Sequence, residues 1–447
     1  MVAKWFRLDN ASNIFLATQN EVDTKVFRLA AKMKDDVDPR ILQDALDNVY
    51  ENYPLFHCVL RRGIFWYYLE ESDLRPRVRY ETETPCTPIY QSGRRNLLFR
   101  VLYQNNYIFL EVFHGLTDGT GGLWFFEDIL AEYTRIRYVH EDSTIQDREK
   151  NDIEDSFNRY FNKKKIDAKL DHSTEALEDI YEEKAMEEEK VYEDESEEVG
   201  RKIYRINGES TPDYRPRVIS LDMDVKSCLK LSRAKGVSLT IYMSAVYLLS
   251  VYETSPKDEE ETTISISIPI NLREFFPSIS VRNFFSTTTL FYVFKQNEAN
   301  TIDEICQELD RQFKKQLDKD ALEKRLQRYI EFERNPIARI IPRFAKDFIL
   351  QMVNKWNNRK ITVAMSNLGL MRLPDKVGDM VDKISFYTSV IRPQFCMMSY
   401  GSNLNITFTS PFTETALQQK FVSYLTDQGI DITVDANKVT SRELDMG

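Results

Sequence analysis

The sequence predicts a mixed α/β (α+β) protein built from two similar-sized lobes. Three observations carry that reading. Strand-like and helix-like runs recur in both halves of the chain, they show no strict βαβ alternation, and a long charged stretch separates the halves. At 447 residues the chain is too long for one ordinary core, and its 42% hydrophobic content is enough for sizeable interiors. The expected division is residues 1–150 for the first lobe, 151–215 for a charged linker and 216–447 for the second lobe.

In the first lobe, Ile41, Leu42, Ala45, Leu46 and Val49 recur at the spacing of one helical face, with Asp38-Pro39 as a start signal and Pro54 as a stop. Strand-like runs follow at Phe56–Arg61 and Phe65–Leu69, joined by Arg62-Gly63. Leu97–Tyr103 and Tyr107–Phe113, separated by Gln104-Asn105-Asn106, read as a hairpin. A glycine-rich loop, His114-Gly-Leu-Thr-Asp-Gly-Thr-Gly-Gly122, comes next, and then a helix with Leu123, Phe126, Ile129, Leu130 and Tyr133 on one face.

From about Tyr138 to Pro216 the composition changes. Lys163–Lys165 precedes a stretch, Glu175–Glu198, that holds thirteen acids against Lys184 and Lys190. Such a block reads as a solvated surface linker, with a regulatory or partner-binding tail as the alternative. The second lobe restarts with alternating Val218–Met223. It continues with a helix from Leu239 to Tyr252 introduced by Ser238, strands at Ile264–Ile270 and Ser286–Phe294, and a helix over Ile302–Leu317. A basic, proline-interrupted helical stretch (Ala321–Trp356), strands at Ile361–Ser366 and Asn405–Thr409, and a closing helix at Thr413–Thr426 complete it.

Composition excludes several functional classes. A net charge of −11 disfavours nucleic acid as a general partner, which needs a basic face. The five cysteines stand singly, with no C-x-x-C pair, so neither a zinc site nor a redox dithiol is expected and the thiols read as buried and reduced. The longest apolar window, Ile241–Tyr252, is interrupted by Ser244 and Ser250 and falls short of the roughly 20 residues a spanning helix needs. With no signal-peptide pattern at Met1–Asn10, cytoplasmic residence is the expectation.

Only four histidines occur, and imidazole is the side chain best suited to proton abstraction near neutral pH. His57 lies in a strand-like run and reads as a packed core residue; His140 and His172 lie in or near the polar linker. His114 differs. It ends an apolar strand, precedes a glycine-rich loop and stands before a helix N-terminus, whose unpaired amides and positive dipole end favour a developing oxyanion. Gly119-Thr-Gly-Gly122 lacks the lysine and spacing of a phosphate loop, no G-x-S-x-G elbow occurs, and no further metal ligands accompany His114 and Asp118.

His114-Gly-Leu-Thr-Asp118-Gly119 resembles the His-x-x-x-Asp-Gly motif of the superfamily of chloramphenicol acetyltransferase, peptide-synthetase condensation domains, plant BAHD enzymes and alcohol acetyltransferases. Trp5–Asn10, Pro269–Arg273, Asn283–Phe285 and Ser366–Gly369 resemble further segments of that group. Phe113 stands where condensation domains double the histidine, and the plant Asp-Phe-Gly-Trp-Gly signature is missing, so the chain is most similar to the bacterial alcohol acetyltransferase-like branch and to mycobacterial polyketide-associated acyltransferases.

The resemblance implies two chloramphenicol-acetyltransferase-like lobes, each a mostly antiparallel or mixed sheet with helices, and an active-site tunnel between them. It implies His114 as general base, with an acyl-CoA donor, or an acyl-carrier protein in its place, and a small hydroxyl or amine acceptor. No bound cofactor or metal is implied. Asp118 would pair with Arg273 structurally, and the Gly119 amide, Asn283 and Ser366 are the oxyanion or substrate candidates. Lys355, Arg359 and Lys360 either meet the phosphates of coenzyme A or are ordinary solvent-facing charges. A non-catalytic relative of the fold is the remaining alternative.

Overall fold

The computed structural model describes residues 4–138, 153–161, 202–257, 260–334, 343–440 and 443–444. The acidic 175–198 stretch, Lys163–Lys165, His140 and His172 lie outside them.

The first lobe is built on a five-stranded sheet in the order Val381–Thr388, Val26–Met33, Tyr107–Phe113, Phe99–Gln104, Arg79–Tyr80. All pairs are antiparallel except the last. The helix Pro39–Tyr50 belongs to this lobe's core because its apolar face is continuous: Leu42, Ala45, Leu46 and Val49 are buried, and the Asp38 side chain caps it by accepting from the Arg40 and Ile41 amides. It packs against the long helix Gly119–Tyr138. Elsewhere in the sheet, Arg28 is buried in ion pairs with Glu111 and Glu81, and Arg100 also reaches Glu111. A small antiparallel sheet, Trp5–Arg7, Tyr67–Glu71 and Cys58–Arg62, flanks the lobe.

The second lobe carries a seven-stranded mixed sheet: Phe285–Lys295, Glu261–Asn271, Val363–Met371, Gln394–Tyr400, Asn403–Ser410, Arg217–Asp224, Ile432–Ala436. Val363–Met371 runs parallel to both neighbours, and the remaining pairs are antiparallel. The helix Leu239–Thr254 is capped by Ser238, as its sequence indicates, and is apolar on nearly every side, so it is buried in this core together with Ile264, Ile266, Phe395 and Phe408. No single helix among the described residues is long and apolar enough to cross a membrane. All five cysteines are buried and unpaired.

Several elements depart from the sequence reading. His57 is not in a strand: Pro54 opens a 3₁₀ turn, Pro54–His57, and the strand begins at Cys58. Strands Val26–Met33, Val381–Thr388, Gln394–Tyr400 and Ile432–Ala436, and helices Asn10–Thr18 and Val225–Ala234, were not legible as such. The lobes also exchange chain. Val381–Thr388, from the C-terminal half, pairs with Val26–Met33 in the first lobe, and Phe386 meets Phe27 edge-on at 6.1 Å. The ends of the 151–215 segment are docked rather than free. Helix Ser156–Phe161 packs Phe157 and Phe161 against Phe276, Phe284, Leu322 and Leu326, and the Tyr204 amide donates to the Thr263 carbonyl.

Because Phe386 is buried in the first-lobe core, Phe386→Ala removes packing from the strand that crosses between the lobes. It is expected to cost about 3–5 kcal/mol, read as a lowered urea midpoint at unchanged m-value; an unchanged midpoint would contradict the crossing strand's place in this core.

Candidate active site

The loop after Tyr107–Phe113 is assembled by its own backbone. The His114 amide donates to the Lys25 carbonyl at 2.7 Å, extending the ladder one residue past the strand, and the Leu116 amide turns back to the Phe113 carbonyl at 2.9 Å. Asp118 then starts the helix: its Oδ1 accepts from the Gly121 amide at 2.9 Å and its carbonyl from the Gly122 amide at 2.9 Å. Gly121 is required for closeness, since a Cβ there would stand 2.2 Å from Thr117 Oγ1 and 2.3 Å from the Val281 carbonyl oxygen of the second lobe.

Three contacts stitch this loop to the 271–285 segment. Asp118 Oδ2 accepts from Arg273 Nη1 at 2.7 Å and from the Phe284 amide at 2.8 Å. Thr117 Oγ1 donates to the Val281 carbonyl. Arg273 is in turn held by the carbonyls of Ser280 (2.9 Å) and Arg282 (2.6 Å), and both members of the Asp118–Arg273 pair are almost fully buried. The arginine expected to partner Asp118 is therefore the one found beside it.

The His114 ring sits at the same seam. Its Nδ1 lies 3.2 Å from Asn283 Oδ1. The Asn283 amide nitrogen donates to the His114 carbonyl (3.0 Å), Ser12 Oγ (3.0 Å) and Asp9 Oδ2 (3.3 Å). A carbonyl and a carboxylate can only accept, so these partners fix which end of the Asn283 amide is oxygen. That oxygen in turn requires a proton on Nδ1, leaving the lone pair of the neutral ring on Nε2.

Phe15, Phe27 and Phe285 surround the ring at centroid distances of 4.3, 5.3 and 5.6 Å. The imidazole is half-buried, and burial pushes its pKa below the ordinary value, outweighing the opposite pull of the Asp118 carboxylate.

The remaining sequence candidates fall less centrally. Gly119 opens the helix, and a Cβ there would come within 2.6 Å of Leu368 Cδ2, so the strand Val363–Met371 reaches the loop. Ser366, half-buried two residues earlier on that strand, has no hydrogen bond to the His114 network among the described residues. Asn283 is buried and its amide donors are occupied, so it faces His114 rather than a substrate oxyanion. Lys355 and Arg359 lie exposed on the helix Arg343–Arg359, and Lys360 stands over the Trp356 ring at 4.3 Å. His57 stacks on Tyr50 at 4.1 Å, with Nε2 at 2.7 Å from the Tyr50 carbonyl.

Sequence reasoning missed Asp9, Ser12, Phe15 and Phe27. The available signal was Asp9 before the helix Asn10–Thr18, which it caps through the Ser12 amide at 2.8 Å. Burial pushes the Asp9 carboxyl up, while Arg282 and the Ser12 donors pull it down.

The model of the alcohol acetyltransferase family matches residues 101–396, which span both the loop and the segment that clasps it. The chain belongs to the alcohol acetyltransferase family. No curated protein matches it by sequence. Among solved structures, this family member is similar to polyketide synthase associated protein 5 from Mycobacterium tuberculosis (13% identity, TM-score 0.56, covering 94% of this chain and 96% of that one). It is similar also to trichothecene 15-O-acetyltransferase from Fusarium sporotrichioides (11%, 0.59, 95% and 95%). A starter condensation domain of rhizomide synthetase, solved as a variant with C8-CoA and Leu-SNAC, matches as well (10%, 0.57, 95% and 94%). At these identities the likeness establishes the two-lobed acyltransferase and condensation-domain fold.

The Asp118–Arg273 pair sets the next expectation. Arg273→Met strands the Asp118 carboxylate in the interior and is expected to cost about 3–5 kcal/mol. The double variant Asp118→Asn/Arg273→Met should recover a large part of that loss in thermal unfolding, and strictly additive losses would contradict direct coupling of the two side chains.

Proposed function

We propose that this acetyltransferase-family protein moves an acyl group, acetyl or longer, from acyl-CoA to an alcohol or amine acceptor, with His114 as general base. The observation that carries the reading is the His114–Asn283 contact, which leaves Nε2 as the proton acceptor of a neutral imidazole. In the reaction Nε2 takes the acceptor's O–H or N–H proton as that atom attacks the thioester carbonyl. The tetrahedral intermediate then collapses, the C–S bond breaks, and the proton on Nε2 passes to the departing thiolate, giving an ester or amide and free coenzyme A. No covalent enzyme intermediate is required, because the thioester is already activated.

General-base help of this kind contributes roughly 10²–10⁴ in rate. In this reading Asn283 is a positioning residue, and Asp118 with Arg273 holds the lobes in register without touching the reacting atoms. Gly119 at the helix start is the oxyanion candidate, supported by the dipole of the Gly119–Tyr138 helix. Ser366 is a candidate substrate contact, supported by the approach of its strand to Gly119. The acceptor and donor would meet in a passage between the lobes. A carrier-protein thioester in place of free acyl-CoA would leave the same proton transfers in place.

The test is thiol release from acetyl-, octanoyl- and palmitoyl-CoA against pooled alcohols and amines, with acyl-carrier protein donors in parallel. His114→Ala should lose roughly 10²–10⁴ in kcat, or more, with a nearly unchanged unfolding midpoint. Wild-type turnover in that variant would remove the base assignment. Asn283→Leu should lower kcat by about tenfold or more with little change in KM, because both ring tautomers then compete.

The depressed His114 pKa sets the pH behaviour. The base is competent when neutral, so activity should hold its plateau down to below about pH 6.5 and fall only as pH drops through the lowered value. The folded protein takes up this proton less readily than the unfolded chain. Its stability contribution is therefore complete above about pH 6.5 and is lost as pH falls through the folded pKa. An acid limb centred above pH 7 would contradict the assignment.

A further inference from the structure

The helix Arg343–Arg359 presents an unusual face to solvent. Its exposed residues are Phe344, Phe348, Gln351, Met352, Lys355, Trp356 and Arg359, which share one side of a 3.6-residue helix. Phe344, Phe348 and Met352 are 74%, 61% and 59% exposed. The outward side of a surface helix is ordinarily the polar one. Here it is apolar with two cations and no acid, in a chain that carries 71 acidic residues and a net charge of −11. The helix's one carboxylate, Asp347, is engaged elsewhere, accepting from the Tyr67 hydroxyl at 2.9 Å and pairing with Arg343.

A second apolar element adjoins it. The tip Gly63–Trp66 joins strands Cys58–Arg62 and Tyr67–Glu71. Its carbonyls are tied to the start of the helix: the Arg343 amide donates to Ile64 O at 3.2 Å, Arg343 Nη1 to Gly63 O at 2.8 Å and Lys346 Nζ to Phe65 O at 3.2 Å. With its backbone held inward, the tip leaves Ile64 79% exposed, and Phe65 and Trp66 are exposed beside it. Scattered single hydrophobes would need no explanation, but seven large ones on two mutually anchored elements do.

We infer that this face, Ile64–Trp66 together with the outward side of Arg343–Arg359, docks on an anionic phospholipid surface. Phenylalanine, isoleucine, methionine and tryptophan suit the acyl–headgroup boundary, and Lys355, Arg359 and Lys360 supply the charge complementary to lipid phosphates. A coenzyme A site would account for those cations but has no use for Phe344, Phe348 and Met352 around them. A protein partner would be recognised without a requirement for anionic lipid. The inference concerns attachment rather than chemistry and stands apart from the catalytic proposal.

The experiment is co-sedimentation of the full chain with vesicles of phosphatidylcholine alone and of phosphatidylcholine with phosphatidylglycerol. Binding is expected on the anionic vesicles and should weaken as salt rises. Phe348→Ser/Met352→Ser should reduce binding by about tenfold or more. Lys355→Ser/Arg359→Ser should abolish the preference for anionic lipid. Both doubles should keep the wild-type unfolding midpoint, since these side chains are exposed, and thiol release by the same preparations reports catalysis separately.

A wild-type chain that stays in the supernatant, doubles that bind like wild type, or release from vesicles by excess free coenzyme A would each overturn the inference. So would light scattering that shows a dimer abolished by Phe348→Ser/Met352→Ser, because the face would then be covered by a second copy.

Discussion

The Asp118 carboxylate accepts hydrogen bonds from three pieces of chain at once: the Gly121 amide of its own helix, and the Phe284 amide and Arg273 guanidinium of the other lobe. A buried charge is tolerated only when its lone pairs are met with good geometry, so the arrangement has little freedom to slide. Its worth lies in position more than in net stabilisation, because desolvating both partners offsets much of their attraction. What it positions is the 271–285 segment against the 114–122 loop. Every distance between His114 and the second lobe follows from that register, including the one to Asn283.

Around the imidazole two demands are met by different groups. The base role proposed for His114 asks for a neutral ring that presents a lone pair in the right direction. Neutrality comes from the aromatic shell of Phe15, Phe27 and Phe285, which removes water that would stabilise the imidazolium. Direction comes from Asn283, which Asp9, Ser12 and the His114 carbonyl hold in one orientation. An uncharged amide suits this place. A carboxylate touching Nδ1 would raise the ring's pKa and work against the shell.

What the sequence made legible follows the same physics. The Asp38 cap, the apolar face of Pro39–Tyr50 and the Tyr107–Phe113 strand are local patterns, and they appear where local pattern places them. Val26–Met33 was illegible because it is buried along nearly its whole length and still carries Arg28 and Lys32 inside an apolar run. Arg28 is paid for by Glu111 and Glu81, which lie far away in sequence. Val381–Thr388 was missed for a related reason: its partner belongs to the other lobe, and no local signal announces a crossing. At the site, the motif picked out His114 and Asp118 and the family resemblance of Pro269–Arg273 offered Arg273, and the structure brings Asp118 and Arg273 side by side. Asn283 was recognised as a site residue but given a substrate-facing role. Its actual partners, Asp9 and Ser12, come from a short N-terminal helix that looks in sequence like an ordinary capped helix.

That helix links the seam at His114 to the exterior. On one side Asn10–Thr18 delivers Ser12 to Asn283 and Phe15 to the face of His114; on another it packs against Arg343–Arg359. Two packed helices, Asn10–Thr18 and Arg343–Arg359, therefore lie between the ring and the outward apolar face. A protein whose acceptors included sparingly soluble alcohols would gain from that closeness, since substrate partitioned into a lipid surface is concentrated near the face that meets it. Conversely, a displacement of Arg343–Arg359 would be felt by Asn10–Thr18, and through Ser12 by the Asn283 amide beside His114. Packing of rigid elements is how such a shift is transmitted, and Asn10–Thr18 is the element that touches both Arg343–Arg359 and the His114 ring.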